Sequence, residues 1–310
     1  MKIVFCGTPK FAVPTLRALA ENGFDVQLVV SQPDRPAGRG LSTVPTPVKQ
    51  LATELGISVT QPAAIKNNAE FRAQLEQIKP DAIIVVAYGR IIPQWMLDLP
   101  RHGNINVHAS LLPKYRGAAP IQWAIANGDS VTGVTTMRLD AGLDTGDMLL
   151  TREIPILTED THETMEDKLS AIGGPLAIET LRGLEQGTVI PTKQDHAEAT
   201  LAPILKKEDG RVDWKRTSVE IWNRLRGFAP WPGAFTKFRG KNLNIIKAQP
   251  AASGIEPLAP GQMHAQGEHL YAGCGENTVL ELLELQLEGK KRMSAKDFAN
   301  GYRPKDDVMV

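Results

Sequence analysis

Two apolar periods alternate over the first hundred residues. Lys2–Phe5 reads as a short strand, and Phe11–Asn22 sets Leu16, Leu19 and Ala20 at helical spacing before Gly23, which suits the left-handed position after a helix. Val26–Val30 predicts a second strand. Thr46–Leu55 predicts a second helix, with Pro47 in its first turn and Gly56 closing it, and Asn68–Gln77 a third. The unbroken apolar run in Asp81–Ala87 is that of a strand buried on both faces. Strands alternating with helices predict βαβ units and a mostly parallel α/β sheet with flanking helices. One segment breaks the rhythm. Gln32–Val44 has neither period and carries Arg35, Arg39, Gly38 and Gly40, which predicts a functional or mobile loop.

Further on, Val131–Leu139 reads as a strand and Thr161–Leu184 as a long helix. Val189–Pro203 is rich in Pro, Thr and Ala and is expected to be a linker. Beyond it Ser218–Arg226 looks helical. The short runs Ala234–Phe238, Leu243–Ala248, Leu270–Ala272 and Val279–Leu287, parted by Gly/Pro turns, predict a small β-barrel. The expected division is therefore residues 1–189, a linker at 190–205, and residues 206–310.

Candidate chemistry concentrates between residues 104 and 147. In the strand Asn104-Ile105-Asn106-Val107-His108, alternation sends Ile105 and Val107 to one face and lines up Asn104, Asn106 and His108 on the other. Ligands of open α/β sheets bind at the carboxyl ends of strands, and His108 ends this one. An irregular loop from Ala109 to Pro120 follows, with Lys114 and Arg116. A second loop, Asp140–Asp147, holds Asp140, Asp144 and Asp147 with two glycines. It lacks the acidic twelfth ligand of a helix-loop-helix calcium site. A carboxylate beside an imidazole favours imidazolium, which donates to a developing oxyanion, and an Asn amide is a neutral second donor. No G-x-S-x-G nucleophile motif occurs, so direct acyl transfer fits better than a covalent intermediate. His162-Glu163-Thr164-Met165-Glu166 is not a zinc H-E-x-x-H motif, and the Gly7 turn lacks G-x-G-x-x-G spacing.

Composition narrows the field. The 310 residues include 35 basic and 35 acidic side chains, which excludes a wholesale nucleic-acid binder. The zero total hides an asymmetry, since residues 206–249 hold 11 basic and 4 acidic side chains and so suit an anionic partner. Two cysteines, Cys6 and Cys274, offer neither a disulfide framework nor a Cys-rich zinc site, and no metal is expected. No apolar run approaches the roughly 20 residues that span a bilayer, and Gly7-Thr8-Pro9 breaks the first strand too early for a signal peptide. A cytoplasmic protein with no membrane partner is expected.

The run Asn106-Val107-His108-Ala109-Ser110-Leu111-Leu112-Pro113-Lys114-Tyr115-Arg116-Gly117 closely resembles the signature of the 10-formyltetrahydrofolate-dependent formyltransferase family. Gly142-Leu143-Asp144-Thr145-Gly146-Asp147 resembles that family's second motif. The likeness covers essentially the whole chain and is strongest to the members that formylate methionyl-tRNA. It takes in Phe5–Pro9, the Gln32–Gly40 loop, Asp213-Trp214 and Pro230–Ala234. The resemblance implies a Rossmann-like catalytic domain and an oligonucleotide-binding (OB)-like β-barrel. It implies formyl transfer from 10-formyltetrahydrofolate to the α-amino group of initiator methionyl-tRNA, for translation initiation, by a protein that works as a monomer.

By the same resemblance Asn106, His108 and Asp144 form the catalytic group. Ser110, Leu111, Leu112 and Pro113 would contact the tetrahydrofolate, and Tyr88, Gly89 and Asp140 would enclose its pterin. Arg39 would be the key cation of a loop entering the tRNA acceptor arm, with Lys206, Lys207 and Arg211 on the tRNA backbone. Leu41-Ser42 stand where some relatives carry lysines. The competing readings are a formyltransferase acting on a nucleotide-linked amino sugar and a non-catalytic tRNA-binding protein. The Arg39 loop and the cationic 206–249 segment favour tRNA over the sugar, and retention of all three catalytic positions argues against the second.

Overall fold

The computed structural model describes residues 1–37 and 42–310. Two compact units result, and they interleave along the chain. One comprises residues 1–120, 131–155 and 165–202; the other comprises 121–130, 156–164 and 203–310.

The first unit is built on a seven-stranded sheet. Its strand order is Met148–Pro155, Val131–Arg138, Asn104–His108, Ala82–Val86, Lys2–Gly7, Asp25–Val30 and Val59–Thr60. The five strands from Asn104–His108 outward to Val59–Thr60 run parallel, whereas Val131–Arg138 pairs antiparallel with Asn104–His108 and Met148–Pro155 pairs antiparallel with Val131–Arg138. Ala82–Val86 is wholly buried, as its β-branched run requires. Val4, Cys6, Ile83, Val85, Phe71, Leu75, Tyr88 and Met96 form one core cluster, placing Cys6 in the interior. The helix expected at Thr46–Leu55 spans Pro47–Glu54, capped by the Thr46 hydroxyl on the Lys49 N–H.

Two segments depart from the expected pattern. Within Gln32–Val44, Arg35–Ala37 pairs antiparallel with Ser42–Val44, so the ends of the supposed loop form a short hairpin. Three residues a side are too few to show a period of two. Arg39 lies outside the described residues. The Pro- and Thr-rich segment after the long helix His162–Gln186 is structured as well. Thr192 exchanges both backbone hydrogen bonds with Met148 at 2.8 Å, and Leu201–Ala202 pairs in parallel with Arg116–Gly117.

The second unit holds an antiparallel sheet of short strands. Their order is Ala234–Phe238, Lys241–Pro250, Val279–Leu287, His269–Gly273, Gln262–Gln266 and Lys305–Val308, with Met293–Ser294 also on Val279–Leu287. Lys237 and Val310 exchange backbone hydrogen bonds at 2.8 and 3.2 Å, joining the first strand to the chain's last residue and nearly closing the barrel. Leu243, Ile245, Leu270, Leu280, Leu282, Leu285 and Phe298 fill it. The helix Ser218–Phe228 begins with a capping box: Thr217 accepts from Glu220 N–H, and Glu220 accepts from Thr217 N–H. Among the described residues no helix is long and apolar enough to cross a membrane.

Candidate active site

His108 ends the strand Asn104–His108 and is 6% exposed. The loop after it is pinned by Thr135, the residue opposite His108 on the neighbouring strand. Thr135 Oγ1 donates to Ser110 O at 2.7 Å and accepts from Leu112 N at 3.2 Å. Ser110 Oγ donates to Lys114 O at 2.6 Å. The turn then passes through Tyr115, at φ +60°, and Gly117, at φ +122°. Only glycine suits the second position, because a Cβ there would also sit 2.7 Å from Ala202 O.

The two ring nitrogens of His108 have different surroundings. Nε2 lies 2.9 Å from Tyr115 O, and since a carbonyl only accepts, Nε2 carries a proton. Nδ1 faces Asp144 Oδ2 at 3.8 Å, which is close for a charge interaction and too long for a hydrogen bond. Asp144 itself sits at φ +50°, a conformation an L residue holds only when its surroundings enforce it. Its Oδ2 accepts from Gly117 N at 2.9 Å, tying the Asp140–Asp147 loop to the loop after His108. Asn106 is half-buried on the same strand face as His108, and its carboxamide makes no hydrogen bond among the described residues. Asn104, which shares that face, donates to Met96 O and Leu97 O at 2.9 and 3.1 Å instead. It is structural. Asn106, His108 and Asp144 are thus brought together.

The other expected contacts divide. Of Ser110–Pro113, the Ser110 hydroxyl is used within the loop and the Leu112 N–H on Thr135, which leaves Leu111 and Pro113, both half-buried, with surface to offer a ligand. Tyr88 is 1% exposed and its ring belongs to the core, so burial pushes its hydroxyl up to about 12. Only its main chain can face a ligand, and Gln32 Nε2 already donates to Tyr88 O at 2.8 Å. Gly89, at φ +75°, turns the chain beside that contact. Asp140 is exposed and caps its own loop, accepting from Gly142 N at 3.0 Å and Thr145 Oγ1 at 2.7 Å.

One participant went unnoticed in the sequence. Gln194, 6% exposed, donates to Asp144 O and Gly146 O and accepts from the guanidinium of Arg116. Arg116 is 6% exposed and also donates to His196 Nδ1 at 3.2 Å. Both thiols are buried, and burial pushes Cys274 up to about 12 and Cys6 upward too, which removes them as nucleophiles. Among the described residues no group of three His, Cys, Asp or Glu side chains could hold a metal ion.

In the second unit Lys206, Lys207 and Arg211 are exposed and form no ion pair among the described residues. Four arginines of the same unit are spent otherwise. Arg216 lies 3.5 Å from Glu220 and Arg239 2.7 Å from Asp307, while Arg224 and Arg226 stack on Phe228 and Trp222 at 4.8 and 4.2 Å.

Residues 1–181 match the family model of formyl transferase, and residues 204–303 that of the formyl transferase C-terminal domain. The chain belongs to the formyl transferase family. Among its relatives, the methionyl-tRNA formyltransferase of Koribacter versatilis is 64% identical over 98% of this chain and 96% of its own. The methionyl-tRNA formyltransferase of Acidobacterium capsulatum is 62% identical over 97% and 96%. Solved structures share the fold. Methionyl-tRNA formyltransferase from Clostridium thermocellum matches with a TM-score of 0.56 at 20% identity, over 82% of this chain and 95% of its own. A sugar 3N-formyl transferase matches with a TM-score of 0.67 at 19% identity, over 94% and 99%. At such identities the likeness is one of fold alone.

Proposed function

We propose that this chain transfers the formyl group of 10-formyltetrahydrofolate to the α-amino group of initiator methionyl-tRNA, in the cytoplasm, as a monomer. The observation that carries the chemistry is the group of Asn106, His108 and Asp144, with one amide and one ring nitrogen left free to meet a substrate. Asn106 donates to the oxyanion that develops as the amine adds to the formyl carbon. His108 is the second donor. Its Nε2–H is committed to Tyr115 O, so Nδ1, which faces the Asp144 carboxylate at 3.8 Å, is the ring nitrogen that meets the reacting group and, when it carries a proton, donates to the oxyanion. As the carbonyl re-forms, the bond to the folate nitrogen breaks, and the proton lost by the amine ends on that nitrogen. No covalent enzyme intermediate is needed.

The free faces of Leu111 and Pro113, with the Gly89 turn and the Asp140 loop, are where the folate binds. Lys206, Lys207 and Arg211, which form no ion pair among the described residues, suit the tRNA phosphates, and Arg39 the acceptor end. Identities of 62–64% to methionyl-tRNA formyltransferases over nearly the full chain favour tRNA over a nucleotide-linked amino sugar, for which the likeness is 19%. The test is to incubate the protein with 10-formyltetrahydrofolate and methionyl-tRNA and assay formylmethionine after deacylation. Formyl transfer to an amino-sugar nucleotide with none to methionyl-tRNA would sink the reading.

A further inference from the structure

The segment between the long helix His162–Gln186 and the second unit reads in the sequence as a tether, yet its one nearly buried polar side chain reaches the catalytic loop. Gln194 uses its whole carboxamide. Nε2 donates to Asp144 O at 2.9 Å and Gly146 O at 2.7 Å, and Oε1 accepts from Arg116 Nε at 3.0 Å and Nη2 at 2.7 Å. An amide has two donor hydrogens and two acceptor lone pairs, so this one is saturated. The contacts close a ring. Gln194 holds the main chain of Asp144, the Asp144 carboxylate accepts from Gly117 N at 2.9 Å, and Gly117 follows Arg116, whose guanidinium returns to Gln194. Asp144 stands at φ +50° within that ring, and His108 Nδ1 faces its carboxylate.

The Gln194 backbone is in turn anchored on the same unit. Thr192 exchanges two hydrogen bonds with Met148, and Leu201–Ala202 pairs with Arg116–Gly117. Both loops that flank His108 are therefore referenced to one side chain that touches neither ring nor carboxylate. Removing its donors would leave the Asp144 and Gly146 carbonyls unsatisfied and let Asp144 relax from its left-handed conformation. We propose that Gln194 is a positioning residue, which sets the Asp144 carboxylate against His108 by clamping the Asp144–Gly146 main chain to Arg116. The inference rests on the formyl-transfer reading, and the tests below separate the two.

The full chain is assayed as Gln194→Glu, Gln194→Met, Asp144→Asn and the double variant Gln194→Met/Asp144→Asn. Gln194→Glu keeps the acceptor for Arg116 and adds a charge opposite a buried guanidinium, so it should melt within a few degrees of the parent. It has lost both donors, so kcat should fall about 10- to 100-fold with both KM values within about threefold. On the Asp144→Asn background, Gln194→Met should cost less than about threefold, because the group it positions is already gone. Parental kcat in Gln194→Glu overturns the proposal, as does a Gln194→Met cost undiminished by Asp144→Asn. So does failure of both single variants to fold, which would make the role one of stability. A readout free of activity is the ring nitrogen resonance of His108. It should move in Gln194→Glu in the direction that Asp144→Asn moves it, and an unmoved resonance overturns the proposal. Activity of the parent on methionyl-tRNA is read separately, so its absence would count against formyl transfer alone.

Discussion

The loops around His108 and the cationic stretch at 206–211 are opposite solutions to meeting a substrate. Around His108 the side chains are buried: His108, Arg116 and Gln194 are each 6% exposed, and backbone is held at positive φ at Tyr115 and Asp144. At Lys206, Lys207 and Arg211 the side chains are exposed and unpaired among the described residues. The first region holds a few atoms in fixed places where the dielectric is low, so geometry and charge cannot be separated. The second offers charge in water, where position matters little and salt screens. Turnover should therefore follow the first region, and salt-dependent affinity the second.

The largest effect should come from the buried region. His108→Ala removes the ring that faces Asp144, and turnover should fall by about 100-fold or more, as for loss of an oxyanion donor. Asp144→Asn keeps the shape and the bond from Gly117 N but loses the charge, so its pH–rate profile should change as well as its height. Neither loss should depend on ionic strength. A His108→Ala protein with near-parental turnover breaks the assignment.

Next in size is the exposed region. Each phosphate neutralised contributes roughly 0.7–0.9 to the slope of log affinity against log salt, so replacing Lys206, Lys207 and Arg211 together by alanine should flatten that slope by about 2 to 3. Turnover at saturating tRNA should be unchanged. Arg39 sharpens the contrast. If it places the methionylated end in the pocket, Arg39→Ala lowers turnover even at saturating tRNA, and full rescue by excess tRNA would assign it to the charge-only group.

How much of this could be read in the sequence follows the same division. Asn104–His108, Ala234–Phe238 and Val279–Leu287 are strands where the apolar pattern predicts them, because five or more residues show a period. The juxtaposition of His108 and Asp144 was legible only through the two family-like motifs, since the strands that precede the two loops are antiparallel and strand order alone would send those loops to opposite ends of the sheet. The hydrogen bonds that shape the site were not. Gln194 and Arg116 are 78 positions apart, and the other partners of Gln194 are main-chain carbonyls, which carry no residue identity. The two-residue pairing of Leu201–Ala202 with Arg116–Gly117 is too short for any period. The charge excess in 206–249 was visible, but not that Arg224 and Arg226 stack on aromatic rings and so leave the surface supply.

The smallest effect tests a polar cluster intermediate between these extremes. Asp34 accepts from Gln61 Nε2 at 2.6 Å and Thr46 N at 3.3 Å and pairs with Lys49, beside the strand pair Arg35–Ala37 and Ser42–Val44. The bonds from Lys49 and then Gln61 hold its carboxyl below the ordinary 3.8. A carboxyl lowered on folding adds stability that is fully present above its unfolded value and is lost as pH falls through the folded one. Asp34 therefore supports the fold fully at neutral pH, begins to lose that support as pH falls below 3.8, and loses it completely only below its lowered folded value. Asp34→Asn removes that term, so the melting temperature should drop by a few degrees at pH 7 and by less at pH 3. Thermal melts of both proteins across that range check it. A gap of equal size at both pH values would mean that the amide lost packing rather than charge, and would move Asp34 into the geometric class with Gln194.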